Sequence, residues 1–246
     1  MTGIAQLALS VQLPDDETFD SFKSSDNLVV IAQLKAFIES KKSQSTTDAS
    51  RSEPCSFYLF GSKGAGKSHL LHACSAYANT LDITSVCLSF SELKSLPVAV
   101  LDGLEYIDLI CLDDLHLIAA DTAWQTAIFD LYNRVFEQGN KILITGNETA
   151  IQLNITLPDL ISRLSWGFTE QIKSMSDNEK MLALQYRAQQ RGVVLPDDVA
   201  RFLLNRLSRN MSDLIAHLDL LDKASIREQR KITIPFIKDV LHIDAV

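Results

Sequence analysis

The chain has 246 residues, 46% hydrophobic and 22% charged, enough for a sizeable core in one domain or in a large domain plus a small one. Lys+Arg 23 against Asp+Glu 31 gives a formal charge of -8, which argues against a broad face for nucleic acid and leaves DNA contact indirect. The longest apolar runs, such as residues 28–34 and 109–112, fall far short of the ~20 residues of a membrane span, and the N-terminus lacks the basic and long apolar regions of a secretory signal. Cys55, Cys74, Cys87 and Cys111 form no C-x-x-C pair and no metal-ligand spacing, as expected of reduced thiols in a cytoplasmic protein.

Residues 1–20 read as a tail ending in the acidic cluster Asp15, Asp16, Glu17. Leu28, Ile31, Leu34 and Ile38 recur at helical spacing and predict a helix over 24–39. Residues 40–54 are rich in Ser and Thr without periodicity, the pattern of an exposed loop. Short apolar strands then alternate with helical stretches: strands at 56–60, 84–90, 108–114, 141–147 and 167–173, with an amphipathic helix over 121–138 and a helical connection broken at Pro97. This alternation predicts an α/β fold with a parallel five-stranded sheet covered on both faces. From residue 176 the strand pattern stops. Ser176 with Glu179 makes a capping box, and helical patterns follow from Met181, Val199, Leu214 and Pro235, the mark of a small all-helical domain. The expected division is a tail over 1–17, an α/β domain over 18–173 and a helical domain over 174–246.

The strongest motif is Gly61, Ser62, Lys63, Gly64, Ala65, Gly66, Lys67, Ser68, which matches G-x-x-x-x-G-K-[ST] between a strand and a helix that opens at His69. Glycines let the backbone wrap until its N–H groups face phosphate oxygens, and the helix N-terminus adds partial positive charge. Lys67 is placed to reach the β- and γ-phosphates of ADP or ATP, and the Ser68 hydroxyl to hold Mg²⁺. In Leu109-Ile-Cys-Leu-Asp113-Asp114, four apolar residues put the two acids at the C-terminal end of a buried strand, where ligands of parallel sheets bind. Asp113 is the expected second Mg²⁺ contact, and Asp114 is positioned to polarise an attacking water. His116, in the loop that follows, reads as a surface or packing histidine.

At these residues the chain resembles the AAA+ ATPases, in the branch of the bacterial replication initiator DnaA. Residues 18–27 (TFDSFKSSDN) resemble the block that opens the initiator's ATPase region and flanks its adenine pocket; residues 160–167 (LISRLSWG) resemble the block carrying its arginine finger; residues 233–241 (TIPFIKDVL) resemble the end of its helical lid. The resemblance implies a P-loop base followed by a lid, with Arg163 as the finger position, Asn147 as the first sensor and Trp166 packing the base against the lid. Taken on spacing alone, Arg163 also suits a salt-bridged surface arginine, and Asn147 after Gly146 also suits a turn. At the second sensor the initiator branch has an arginine; the matching residue here is Ser212, with Arg209 one helical turn earlier.

The chain ends at Val246, just after the lid-like segment, and its tail is short. It is therefore similar to the Hda-type regulators of this branch, which promote hydrolysis of initiator-bound ATP. Gln6, Leu7, Leu9 and Val11 resemble the sliding-clamp-binding motif of such proteins: an extended tail can lay its apolar residues into a pocket while the Gln6 amide fixes register. Ser10-Val11 departs from the aromatic end that the motif prefers. The implied partners are the initiator, the clamp and a second copy of the chain. The alternatives are a helicase-loader-like ATPase and a non-catalytic nucleotide-binding adaptor. The missing arginine at Ser212 implies a protein that hydrolyses its own nucleotide slowly.

Overall fold

The computed structural model describes residues 16–40, 54–207 and 210–243. The expected clamp-binding residues Gln6, Leu7, Leu9 and Val11, the loop over 41–53 and Arg209 lie outside the described residues.

Five parallel strands form one sheet: β1 (Ser56–Phe60), β2 (Ser85–Ser89), β3 (Leu109–Asp113), β4 (Lys141–Gly146) and β5 (Phe168–Gln171), in the order β2-β3-β4-β1-β5. Alternate residues of the central strands feed two different cores. Phe57, Leu59, Leu109, Cys111 and Leu143 face α1 (Leu28–Glu39) and α2 (Lys67–Thr80). Tyr58, Ile110, Leu112, Ile142 and Ile144 face the other side, with Phe90, Trp124, Leu131 and Leu160. That two-sided burial explains why the central strands read as unbroken apolar runs. Edge strand β5 is mostly exposed, and for that reason its sequence is polar. Cys74, Cys87 and Cys111 all lie in the first of these cores as free thiols, and burial pushes the Cys87 thiol up to about 12.

The weak helical connection over 91–106 consists of a single-turn helix α3 (Phe90–Leu93) and two 3-10 turns, Val98–Leu101 and Leu104–Tyr106. Helix α4 (Thr122–Glu137) is capped by Asp121, whose carboxylate accepts from the Ala123 and Trp124 N–H groups. Helix α5 (Pro158–Trp166) begins with proline, which lacks the N–H that a first turn leaves unpaired. The loop entering α5 is pinned by Gln125, a fully buried residue of α4. Its Oε1 accepts from the Thr156 N–H (3.0 Å), the Thr156 hydroxyl (3.1 Å) and the Leu157 N–H (2.9 Å), while its Nε2 donates to the Ala119 carbonyl (2.6 Å). Gln125→Ala leaves the buried Ala119 carbonyl and the partly buried Leu157 N–H without this partner and opens a void at a buried position. The expected cost is about 2–4 kcal/mol, or roughly 5–10 °C in Tm, read by thermal denaturation.

Beyond β5 the chain is helical: α6 (Asp177–Gln190), α7 (Asp197–Arg206), α8 (Met211–Glu228) and α9 (Ile234–Leu241). They enclose a core of their own, with Leu184, Leu203, Leu218, Leu221 and Phe236 fully buried. The capping box at α6 is formed: the Ser176 hydroxyl accepts from the Glu179 N–H, and the Glu179 carboxylate accepts from the Ser176 N–H at 2.8 Å. Its other oxygen accepts from the Ser25 N–H (2.7 Å) and hydroxyl (2.9 Å). Burial pulls the Glu179 pKa upward, but these backbone and hydroxyl donors outweigh it and hold the carboxyl at about 2. A carboxyl depressed on folding stabilises the fold above its unfolded pKa, and that contribution is lost as pH falls towards the folded one. Wild-type protein is therefore expected to lose this contribution between about pH 4.5 and pH 2, whereas Glu179→Gln is less stable at pH 7 and flatter across that acid window. Urea midpoints at pH 7 and pH 3 separate the two profiles.

Candidate functional site

The loop after β1 has the shape that its glycines permit. Gly64 (φ +79°) and Gly66 (φ +100°) take left-handed conformations that other residues rarely adopt. A Cβ on Gly66 would lie 2.4 Å from the Phe22 ring, and one on Gly61 would lie 2.6 Å from the Ile172 carbonyl oxygen. Gly66 also occupies the N-cap of α2 without a side chain to satisfy the first-turn N–H groups, so these are left for a ligand. Lys67 folds back, its Nζ donating to the Gly61 (2.9 Å) and Ser62 (3.2 Å) carbonyls. Burial lowers the pKa of this amine, while Asp114 and Asp113 oppose that shift.

These residues open on a cavity of about 750 Å³, lined on one side by the phosphate loop and on another by α6 and α8. Of the expected nucleotide-binding residues, Ser62, Lys63, Gly64, Gly66, Lys67, Ser68 and His69 line it, as do Asp114 and Asn147. Gly61 and Ala65 lie behind the lining, with Ala65 fully buried. His69 is largely committed elsewhere: its Nε2 lies 2.9 Å from the Thr18 carbonyl oxygen and 3.1 Å from Ser21 Oγ.

Asp113 is buried at the end of β3 and accepts at Oδ1 from the Thr145 hydroxyl (2.5 Å). Thr145 Oγ1 in turn accepts from the Asp114 N–H (2.9 Å), so a β4 threonine with no motif signature sets the geometry of both acids. Asp114 itself is left-handed (φ 62°), a strain of about 1–3 kcal/mol that aims its side chain into the cavity. Burial raises its pKa, as does the Asp113 charge, against the pull of His116, Lys67 and Lys63. His116, expected as a surface or packing histidine, sits beside Asp114. It lines the cavity, and its Nδ1 lies 3.7 Å from Asp114 Oδ1 with no hydrogen-bond partner among the described residues.

The donors at the phosphate end are hard oxygens, the Ser68 hydroxyl and the Asp113 and Asp114 carboxylates. That set suits Mg²⁺, which binds through one or two carboxylates plus ligand phosphates. Among the described residues no group of three or more His, Cys, Asp or Glu side chains forms an all-protein metal cage.

Two lid residues that lacked a sequence signal complete the cavity. Asn210, the N-cap of α8, approaches the phosphate loop, its Oδ1 3.0 Å from where a Gly64 Cβ would stand. Arg187 of α6 is 4% exposed and lines the cavity wall. Ser212, at the second-sensor position, lines it too.

Arg163 is not among the residues lining this cavity. It lies on α5 in a separate depression with Phe129, Asp159, Ser162 and Trp166, its guanidinium 5.6 Å from the centre of the Tyr132 ring. It makes no ion pair among the described residues, unlike a salt-bridged surface arginine. Trp166 corrects the expectation that it packs the base against the lid. It is 48% exposed and meets Phe136 of α4 edge-on at 6.0 Å, beside Arg163.

Among the described residues no helix is long and apolar enough to cross a membrane. Residues 98–172 match the family model of the bacterial DnaA ATPase domain, and residues 177–241 match that of the Hda lid domain. Domain III of the replication initiation protein DnaA from Thermotoga maritima is similar in structure, with a TM-score of 0.75 at 18% identity over 94% of this chain and 97% of that one. DnaA from Aquifex aeolicus, solved bound to AMPPCP, superposes with a TM-score of 0.67 at 18% identity over 89% of this chain and 69% of that one. The Thermotoga maritima RuvB Holliday junction branch migration motor gives 0.64 at 16% identity, over 94% and 72% respectively. With the five-stranded parallel sheet, the phosphate loop and the helical lid in this arrangement, the chain is an Hda-like, DnaA-homologous AAA+ protein.

Proposed function

We propose that this protein binds ADP or ATP with Mg²⁺ between base and lid and, held on the DNA-loaded sliding clamp by its N-terminal tail, promotes hydrolysis of the ATP bound to the initiator DnaA. The observation that carries this reading is the separation of two sites within the chain. Most of the phosphate loop, Asp114 and Asn147 line one cavity with Asp113 buried beside Asp114, whereas Arg163 stands outside it, partly exposed and without an ion pair among the described residues. A guanidinium turned away from its own nucleotide serves one on another molecule, where it stabilises charge gathering on the transferring phosphoryl group.

Within the chain's own site, Lys67 and the first-turn N–H groups of α2 hold phosphate oxygens, and Ser68 with Asp113 holds the metal. Bound Mg²⁺ supplies charge neutralisation on the phosphates. Asp114 orients water with help from Asn147, and Ser212 brings no charge to the γ-phosphate. Own hydrolysis is accordingly slow, and the bound nucleotide serves to hold lid against base. The clamp and the initiator make the DNA contacts, in keeping with a chain of charge -8.

The test is a reconstitution with initiator preloaded with labelled ATP, clamp loaded on DNA, and this protein. The expected result is hydrolysis accelerated only when all three are present, and lost when Gln6 and Leu7 are replaced by alanine. Initiator ATP turning over at its basal rate regardless overturns the reading. The complete Asp113–Asp114 pair favours a second reading, a self-sufficient ATPase. Steady turnover of several ATP per second by this protein alone would establish it.

A further inference from the structure

Residues 16–27 carry no helix or strand, yet they contact the first lid helix along its length. Asp16 Oδ2 lies 3.1 Å from Arg187 Nη1 and 3.3 Å from Arg191 Nη2. Glu17 Oε1 lies 3.2 Å from Arg187 Nη2, while its Oε2 lies 2.5 Å from His72 Nδ1 on α2 of the base. Lys23 Nζ stands 4.0 Å over the Tyr186 ring. Ser25 donates twice to Glu179. Asn27 closes the segment by bonding both the N–H and the carbonyl of Lys173, each at 2.9 Å, where the chain leaves the sheet. Positions 179, 186, 187 and 191 recur at helical spacing on one side of α6, and that helix also presents Ala183 and Arg187 to the cavity.

We propose that residues 16–27 are a strap that holds α6 in the position closing the cavity, so that nucleotide affinity depends on contacts made away from the phosphates. The inference rests on the reading of that cavity as a nucleotide site. Glu17 joins the two halves: one carboxylate oxygen holds base helix α2 and the other holds lid helix α6. Around Glu17, burial favours the neutral acid, but His72, His69 and Arg187 together keep the carboxyl below its usual pKa and hence charged. The linkage is reciprocal: a nucleotide that needs the lid closed also stabilises the strap.

The test uses Asp16→Ala with Lys23→Ala, since neither side chain lines the cavity. In nucleotide-free full-length protein, hydrogen exchange of the α6 amides is expected to speed up in the double variant while the β3 and β4 amides stay protected. In a fluorescent-ADP titration its Kd rises about tenfold, within the 5–150-fold span usual for coupled sites. ADP slows exchange over residues 16–27 in the wild type and not in the variant. Lys23→Arg, which keeps a cation over Tyr186, binds as the wild type does. If the wild type binds ADP and the double variant binds it equally well, the strap is overturned and the nucleotide reading stands. If the wild type binds neither ADP nor ATP, the nucleotide reading falls and the strap's link to affinity falls with it.

Discussion

Replacing Arg163 by alanine is expected to return initiator-bound ATP hydrolysis to its basal rate, a loss of about 10³-fold or more if the side chain acts as a finger in trans. The same variant should bind ADP as the wild type does, because Arg163 does not line its own cavity. Its stability should fall by no more than about 0.5–1 kcal/mol, the worth of a partly exposed cation over the Tyr132 ring. That triple outcome distinguishes a finger from a packing arginine, whose loss would lower Tm without touching the initiator's hydrolysis. Arg163→Lys adds a finer discrimination: lysine keeps the charge without the planar fork, so it should recover only a small part of the rate. An unchanged rate with Arg163→Ala would sink the trans mechanism and leave the adaptor alternative.

Lys67→Ala should weaken ADP binding by about two orders of magnitude, roughly 3 kcal/mol, as expected for losing charge-assisted hydrogen bonds to phosphate. Among the described residues Lys67 Nζ bonds only to carbonyls of its own loop, so the α/β fold should survive, with circular dichroism unchanged. Isothermal titration with ADP measures the loss. Wild-type affinity in Lys67→Ala would mean that the cavity does not hold phosphates at this loop. The two variants also separate the two halves of the proposed mechanism: Arg163→Ala keeps the nucleotide and loses stimulation, whereas Lys67→Ala loses the nucleotide first.

Much of the base was legible because its determinants are local. The turn at Gly64 and Gly66 follows from glycine's access to positive φ, and the apolar runs of β1, β3 and β4 follow from burial on both faces. The Ser176–Glu179 box needs only three residues of separation. Helix α5 was less evident, since its nine residues show themselves mainly through Pro158 and the apolar pair Leu160 and Leu164. The role of Trp166 was misjudged because an exposed tryptophan beside a helix end looks the same in sequence as one buried at a domain junction.

By itself, then, the sequence determined the phosphate loop, the acids at the end of β3, the alternation that makes a parallel sheet and the change to helices after residue 176. Each of these rests on chemistry that acts within a few residues: allowed dihedrals, hydrophobic period and capping. Only the tertiary structure decided that Arg163 stands outside its own cavity, that Thr145 and Gln125 pin the acids and the entry to α5, and that Asp16 and Glu17 reach Arg187. Those contacts join residues from 31 to 171 positions apart. Arg187 is one of three cations on α6 and its C-cap, with Lys180 and Arg191, and Asp16 is one of three acids in a row. Charge acts through space, so which of them meet is settled by the path of the chain between them.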